Sequence, residues 1–323
     1  MTLSAKDIKG VISIPPTPSR DNQSRWSEDS SVDVPRTIEM IEKQVRSGVG
    51  ALALASTVGE GMGLTWDEKR EFLGAAIETV KKRVPVFAGT TALGTKEAVI
   101  EVTRVKSLGA NCAYMGLPMW QTPTIEVAVQ FFGDLGEAVP EMPIMLHSDP
   151  RVFKFDFPVQ FWQGIGISAP TVIGNVMGYG TQRIMDDMRV AAHQVNFIPS
   201  GLSAIQAHQA APGRISALWT NSPWPEPLVA LINAIQKDDT QKIIEVRKDI
   251  GDVTSYSWPD LTDQFAMYNS QIVKTDWNLS GYQNCGPLRS PFDDLPESWM
   301  ILLKNPERLR QWADARKKYL VAA

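Results

Sequence analysis

Short apolar runs alternate with longer amphipathic ones through the first two-thirds of the chain. No other feature constrains the fold as much. The apolar runs at 11–14, 51–55, 86–89, 112–115, 143–147, 171–175, 196–199 and 215–219 read as strands. They show little period-two alternation, as expected for parallel strands buried on both faces. Helical patterns fill the gaps, at 35–48, 65–82, 96–108, 125–138, 157–167, 181–193 and 204–210. The second opens with Thr65-Trp66-Asp67-Glu68, a capping box. Eight such units in succession predict an α/β chain, a (β/α)8 TIM barrel rather than an open sheet. From residue 225 only helical patterns remain, at 226–237, 239–253, 258–272 and 297–320, with a Gly/Pro-rich stretch at 279–296. The predicted division is a barrel over 1–224 and a C-terminal helical domain over 225–323.

Composition narrows the function classes. The 32 Lys and Arg against 36 Asp and Glu give a net charge of −4, with no basic stripe for nucleic acid. No apolar run reaches the ~18 residues of a membrane span, and residues 1–10 carry no apolar leader. A cytoplasmic location is the expectation. Cys112 and Cys285 form no CxxC, which argues against a disulfide framework or a zinc site. No cofactor and no metal is expected, and the expected partner is a small molecule.

Chemistry in such a barrel sits at the C-terminal ends of the strands. There, Ser56-Thr57-Val58-Gly59-Glu60 offers hydroxyls and a tight turn, which reads as a carboxylate cradle or as a capped loop. His147 ends the fifth strand and reads as a general acid/base or as a structural histidine. Asn175 ends the sixth and can hydrogen-bond a substrate, but cannot act as base or nucleophile. Trp120, Trp219 and Trp224 follow strand ends and suit an aromatic or apolar substrate; packing explains each as well.

These residues resemble the dihydrodipicolinate synthase / N-acetylneuraminate lyase family of pyruvate-linked class I aldolases. The resemblance rests on Pro16-Thr17-Pro18, the 56–60 box followed by Leu64-Thr65 and Glu68, Gly89-Thr90-Thr91, and Asp149-Pro150. Gly116-Leu117-Pro118-Met119-Trp120, residues 64–69 and the tail from Gly281-Tyr282 to Pro291 look like the trans-o-hydroxybenzylidenepyruvate hydratase-aldolase subgroup of aromatic degradation. The resemblance implies a barrel with a C-terminal helical domain, assembled as a homotetramer, acting as a lyase on a carboxylate-bearing substrate. It also implies a Schiff-base lysine ending the sixth strand and a tyrosine ending the fifth. Here those positions are read as Asn175 and His147, and no lysine occurs from 155 to 236.

Three readings stay open. The first is non-covalent acid/base catalysis, with His147, Thr57 and Asn175 as catalytic residues and Ser56, Thr57, Trp120 and Trp219 binding substrate. The second is a class I aldolase with Lys154 as a relocated lysine. The third is a non-catalytic barrel that senses a small molecule or serves as a partner subunit.

Overall fold

The structure is a computed structural model and describes residues 2–21, 26–27, 29–178, 180–254, 262–292 and 294–320. Eight parallel strands form its centre: β1 (Gly10–Ser13), β2 (Ala51–Leu54), β3 (Val86–Gly89), β4 (Cys112–Met115), β5 (Ile144–Ser148), β6 (Val172–Met177), β7 (Asn196–Ile198) and β8 (Ala217–Thr220). Each pairs with its neighbour in chain order, and β1 also pairs with β8. Trp219 closes the remaining seam: its N–H donates to the Pro199 carbonyl at 3.0 Å, and its own carbonyl accepts from Gly201 at 2.9 Å. The sheet is a (β/α)8 barrel.

The strands are ringed by α1 (Val34–Arg46), α2 (Trp66–Val80), α3 (Thr95–Leu108), α4 (Ile125–Ala138), a one-turn α5 (Pro150–Phe153), α6 (Val159–Ser168), α7 (Ile184–Ala191), α8 (Ser203–Ala210) and α9 (Glu226–Gln236). The capping box at Thr65 forms: its hydroxyl accepts from the Glu68 N–H, and the Glu68 carboxylate accepts from the Thr65 N–H. Beyond α9 come α10 (Thr240–Thr254), α11 (Thr262–Leu279), α12 (Glu297–Leu303) and α13 (Pro306–Tyr319). The single helix read at 297–320 is split at Lys304-Asn305-Pro306, because Pro306 cannot continue the preceding helical ladder. Residues 258–261 of the helix read at 258–272 lie outside the described residues. Among the described residues no helix is long and apolar enough to cross a membrane.

Strand register decides which side chains face the barrel interior, because residues paired across parallel strands share a face and successive residues alternate. On β8 and β1, Trp219 pairs with Ile12, and on β4 and β5, Tyr114 pairs with Met145. Met145 pairs with Gly174 and His147 with Val176. A methyl group on Gly174 would meet the ends of Met145 and Ile8, which fill the barrel floor. Tyr114, His147, Val176 and Trp219 therefore face inward. Phe197 faces outward, since its ring meets Trp162 of α6 at 5.0 Å. Asn175 pairs with Phe197 and Leu146, so it faces outward too.

Candidate active site

The mouth of the barrel holds a cavity of about 480 Å³ lined by the β2, β4 and β5 loops, α11 and residues 289–292. Thr57 lies on its wall, and the Thr57 hydroxyl is buried without a hydrogen-bond partner. A buried orphan hydroxyl costs ~1–3 kcal/mol, so a carboxylate in this cavity would gain a ready donor. Ser56 is used differently. Its hydroxyl accepts from the Gly59 N–H at 3.1 Å, while the Gly61 N–H reaches the Ser56 carbonyl at 2.8 Å. Ser56 thus shapes the turn, and Thr57 faces the cavity. A Cβ on Gly61 would stand 1.8 Å from the Ala55 carbonyl, so the turn needs glycine there.

Glu60, which also lines the cavity, anchors this turn. It sits at φ 60°, a left-handed conformation costly for a residue with a Cβ. Its carboxylate accepts from Lys274 Nζ at 2.6 Å, Arg289 Nη1 at 2.6 Å and the Arg289 N–H at 2.9 Å. All three side chains are buried. Burial pushes the Lys274 amine down to about 8, against the opposing pull of Glu60. The other Arg289 N–H groups meet Ser31 and the carbonyls of Thr17, Pro18 and Ser31. The geometry of the turn is therefore held by residues of α11 and the loop after it, more than 200 residues along the chain. Local reading of the sequence gave no signal of this.

His147 lies inside the barrel, 7% exposed. Its ring stacks on Tyr114 at 5.5 Å and meets the Phe153 edge at 5.3 Å. Burial pushes its pKa down to about 4, with Asp149 opposing and Arg151 adding to the shift. The imidazole is neutral at pH 7, with one nitrogen free to accept a proton and the other to donate one. Arg151, Val152 and Lys154 of the α5 turn line the cavity, and Phe153 of the same turn packs on His147. The Phe153 ring fits because Gly116 has no side chain; a Cβ there would stand 2.1 Å from Phe153 Cζ.

Asn175 does not join this group. The strand runs to Met177, two residues past the end read from the sequence, and Asn175 is an outward-facing residue within it. Its Oδ1 accepts from the Ser148 hydroxyl at 2.7 Å, between barrel and helices. The inward positions on this part of β6 are Gly174 and Val176, and neither carries an amine. Trp120 also lies elsewhere. The loop after β4 turns Met119 to the cavity and leaves Trp120 68% exposed, its Nε1 donating to the Leu93 carbonyl at 2.7 Å. Trp120 lines a separate groove with Leu93, Leu117 and Val127. Trp219 is not among the residues lining the cavity; it faces the barrel interior, and its Nε1 donates to the Met177 carbonyl at 2.8 Å. Trp224 is buried and stacks on Trp312 at 5.7 Å, which is core packing. Lys154 is exposed on the cavity wall in a left-handed conformation, φ 52°. Among the described residues no group of three or more His, Cys, Asp or Glu is placed to hold a metal ion.

Residues 10–300 match the model of the dihydrodipicolinate synthetase family. The chain belongs to that family. Among its relatives is the trans-O-hydroxybenzylidenepyruvate hydratase-aldolase of Pseudomonas aeruginosa, 32% identical over 98% of this chain and 96% of the relative. The trans-2'-carboxybenzalpyruvate hydratase-aldolase of a Nocardioides strain is 29% identical over 98% and 97%. A solved structure of PhdJ bound to a substrate intermediate superposes with a TM-score of 0.92 at 27% identity, covering 99% of this chain and all of that one. Within this family the present member has a histidine and a tyrosine side by side in the barrel interior, and an aliphatic residue facing inward near the end of β6.

Proposed function

We propose that this protein is a lyase of the hydratase-aldolase type, acting on a 2-oxo acid with an aromatic or apolar substituent by non-covalent acid/base catalysis. The observation that carries the reading is the interior of β5 and β6: His147 pairs with Val176, so a neutral base stands beside an aliphatic residue, and the inward face of this part of β6 carries no amine. The orphan hydroxyl of Thr57 supports a carboxylate in the cavity. Met62, Met119, Met267 and Phe292 offer the remainder of the substrate an apolar wall.

The chemistry follows from these placements. Thr57 Oγ1 donates to the substrate carboxylate, which orients the 2-oxo group toward the interior. For the hydrated 4-hydroxy-2-oxo acid, His147 accepts the hydroxyl proton as the C3–C4 bond breaks. An aldehyde leaves, and the electron pair moves into the pyruvate enolate. His147 then returns the proton to C3. A positioned base contributes ~10²–10⁴-fold, and oriented donors on the enolate oxygen add a comparable factor. The Phe153 ring, packed on the imidazole from the one-turn α5, would have to yield for substrate to meet it.

The test is turnover of trans-o-hydroxybenzylidenepyruvate, with pyruvate and aldehyde quantified as products. The reading requires both products from wild type and a loss of ~10²-fold or more in kcat for His147→Gln; an undiminished variant overturns it. One observation favours a second reading. Lys154 is the lysine on the cavity wall, so a relocated imine would form there. Lys154→Ala separates the two: abolished turnover supports the imine, and retained turnover supports acid/base catalysis. We further infer a homo-oligomer, a tetramer by the family resemblance, which would cover the exposed Leu93, Trp120 and Val127; sedimentation velocity tests this.

A further inference from the structure

The barrel interior holds one more polar group for which neither the fold nor the reading above has a use. Tyr114 is 2% exposed, and its phenolic oxygen has no hydrogen-bond partner among the described residues. A buried hydroxyl without a partner is destabilising, whereas a phenylalanine would fill the same volume without that penalty. The group also lies beside the proposed base. Tyr114 and His147 project inward from the adjacent strands β4 and β5, their rings stacked at 5.5 Å and 20°.

We propose that Tyr114 is a second catalytic residue, whose O–H donates a hydrogen bond to the 2-oxo oxygen of the substrate and stabilises the enolate formed there. The inference rests on the non-covalent reading. In class I aldolases the imine nitrogen takes up the electron pair of the broken bond. Without an imine, that pair ends on the 2-oxo oxygen. As C3–C4 breaks, the hydroxyl proton goes to His147, C4 leaves as the aldehyde carbonyl, and negative charge develops on oxygen. Tyr114 keeps its proton throughout and shares it in a hydrogen bond, and the proton on His147 passes to C3 to complete pyruvate. Burial, reinforced by the nearby Asp149 carboxylate, pushes the phenol well above its ordinary range, so it is a neutral donor at any working pH. Preformed donors in a dry site are the arrangement that stabilises a developing oxyanion.

Tyr114→Phe tests this on the full-length protein, with trans-o-hydroxybenzylidenepyruvate as substrate. The expected result is a kcat lowered ~10²–10³-fold, as for removal of an oxyanion donor. KM should stay within about threefold, since the hydrogen bond to the neutral ketone oxygen is weak beside that to the enolate oxygen. The melting temperature should stay equal or rise, because no hydrogen bond is lost. Calorimetric titration adds a second readout: oxalate, which mimics the pyruvate enolate, should lose at least about tenfold in affinity, and pyruvate less. An unchanged kcat overturns the assignment, and so does a fall in melting temperature with kcat and KM altered together, which marks a packing role. Wild type without turnover refutes the lyase reading and this assignment with it. Active wild type beside an undiminished variant refutes only this assignment.

Discussion

Lowering the pH below 6.5 should destabilise the protein through His147 by an amount the structure sets. The imidazole is held down to about 4 in the folded chain, from an ordinary value of 6.5, because burial penalises its charged form. The unfolded chain takes up a proton as the pH falls through 6.5, and the folded chain resists until about 4. Unfolding therefore binds a proton in that window, and stability falls as the pH falls. A depressed folded value contributes stability that is complete above 6.5 and lost as the pH descends to about 4. At ~1.4 kcal/mol per pH unit, a displacement of about 2.5 units is worth ~3 kcal/mol. Other groups titrate in the same range, so the measurement is a difference. Urea unfolding of wild type and His147→Phe, at pH 7, 6, 5 and 4, should show the gap between them narrowing by ~3 kcal/mol as the pH falls, in the direction that favours the variant. The gap at pH 7 includes the repacking of phenylalanine against Tyr114 and Phe153 and cancels from the slope. A pH-independent gap would mean that His147 titrates alike in both states, and the buried neutral base would be refuted. The same displacement predicts that kcat holds from pH 7 down to about 5; a limb near 6.5 would assign the base to an exposed histidine.

Three further outcomes follow from the same geometry. Glu60→Gln removes the charge that two buried cations share, and breaking such a pair costs ~3–5 kcal/mol; a thermal scan should show a fall of several degrees, and an unchanged melting temperature would contradict the buried network. Thr57→Val is nearly isosteric and loses no intramolecular hydrogen bond, so kcat/KM for a 2-oxo acid should fall ~10-fold or more while stability holds; equal kcat/KM would remove Thr57 from the carboxylate site. Asn175→Ala strands the Ser148 hydroxyl outside the barrel and should cost ~1–3 kcal/mol with KM unchanged; a rise in KM at full stability would return Asn175 to the site.

The barrel was legible in the sequence because eight strands buried on both faces leave eight uninterrupted apolar runs, each followed by a helical period. The same double burial hid the in-out parity of β6. Val172, Ile173, Val176 and Met177 are apolar on both faces, so the pattern does not say whether Asn175 points in or out. Only its pairing with Phe197 settles that. Tyr114 was hidden for a related reason, since a tyrosine within Cys-Ala-Tyr-Met reads as ordinary strand packing. The cavity-facing hydroxyl was legible at Thr57, because a hydroxyl in a tight strand-end turn is a local feature. The turn's anchor was not: Glu60 meets Lys274 across 214 residues and Arg289 across 229. The tryptophans divided: Trp219 faces the barrel interior from β8, and Trp120 lies in the outer groove, because the turn at Pro118 presents Met119 to the cavity.

Chemical trapping tests the central claim most directly. The protein is incubated with pyruvate and, separately, with an aromatic 2-oxo acid, then treated with borohydride beside an imine-forming aldolase as positive control, and its intact mass is read. Non-covalent catalysis predicts the unmodified mass for a protein that turns the substrate over while the control is labelled. A stable adduct, mapped by peptide mass to Lys154 or any other lysine, would contradict it and restore the Schiff base.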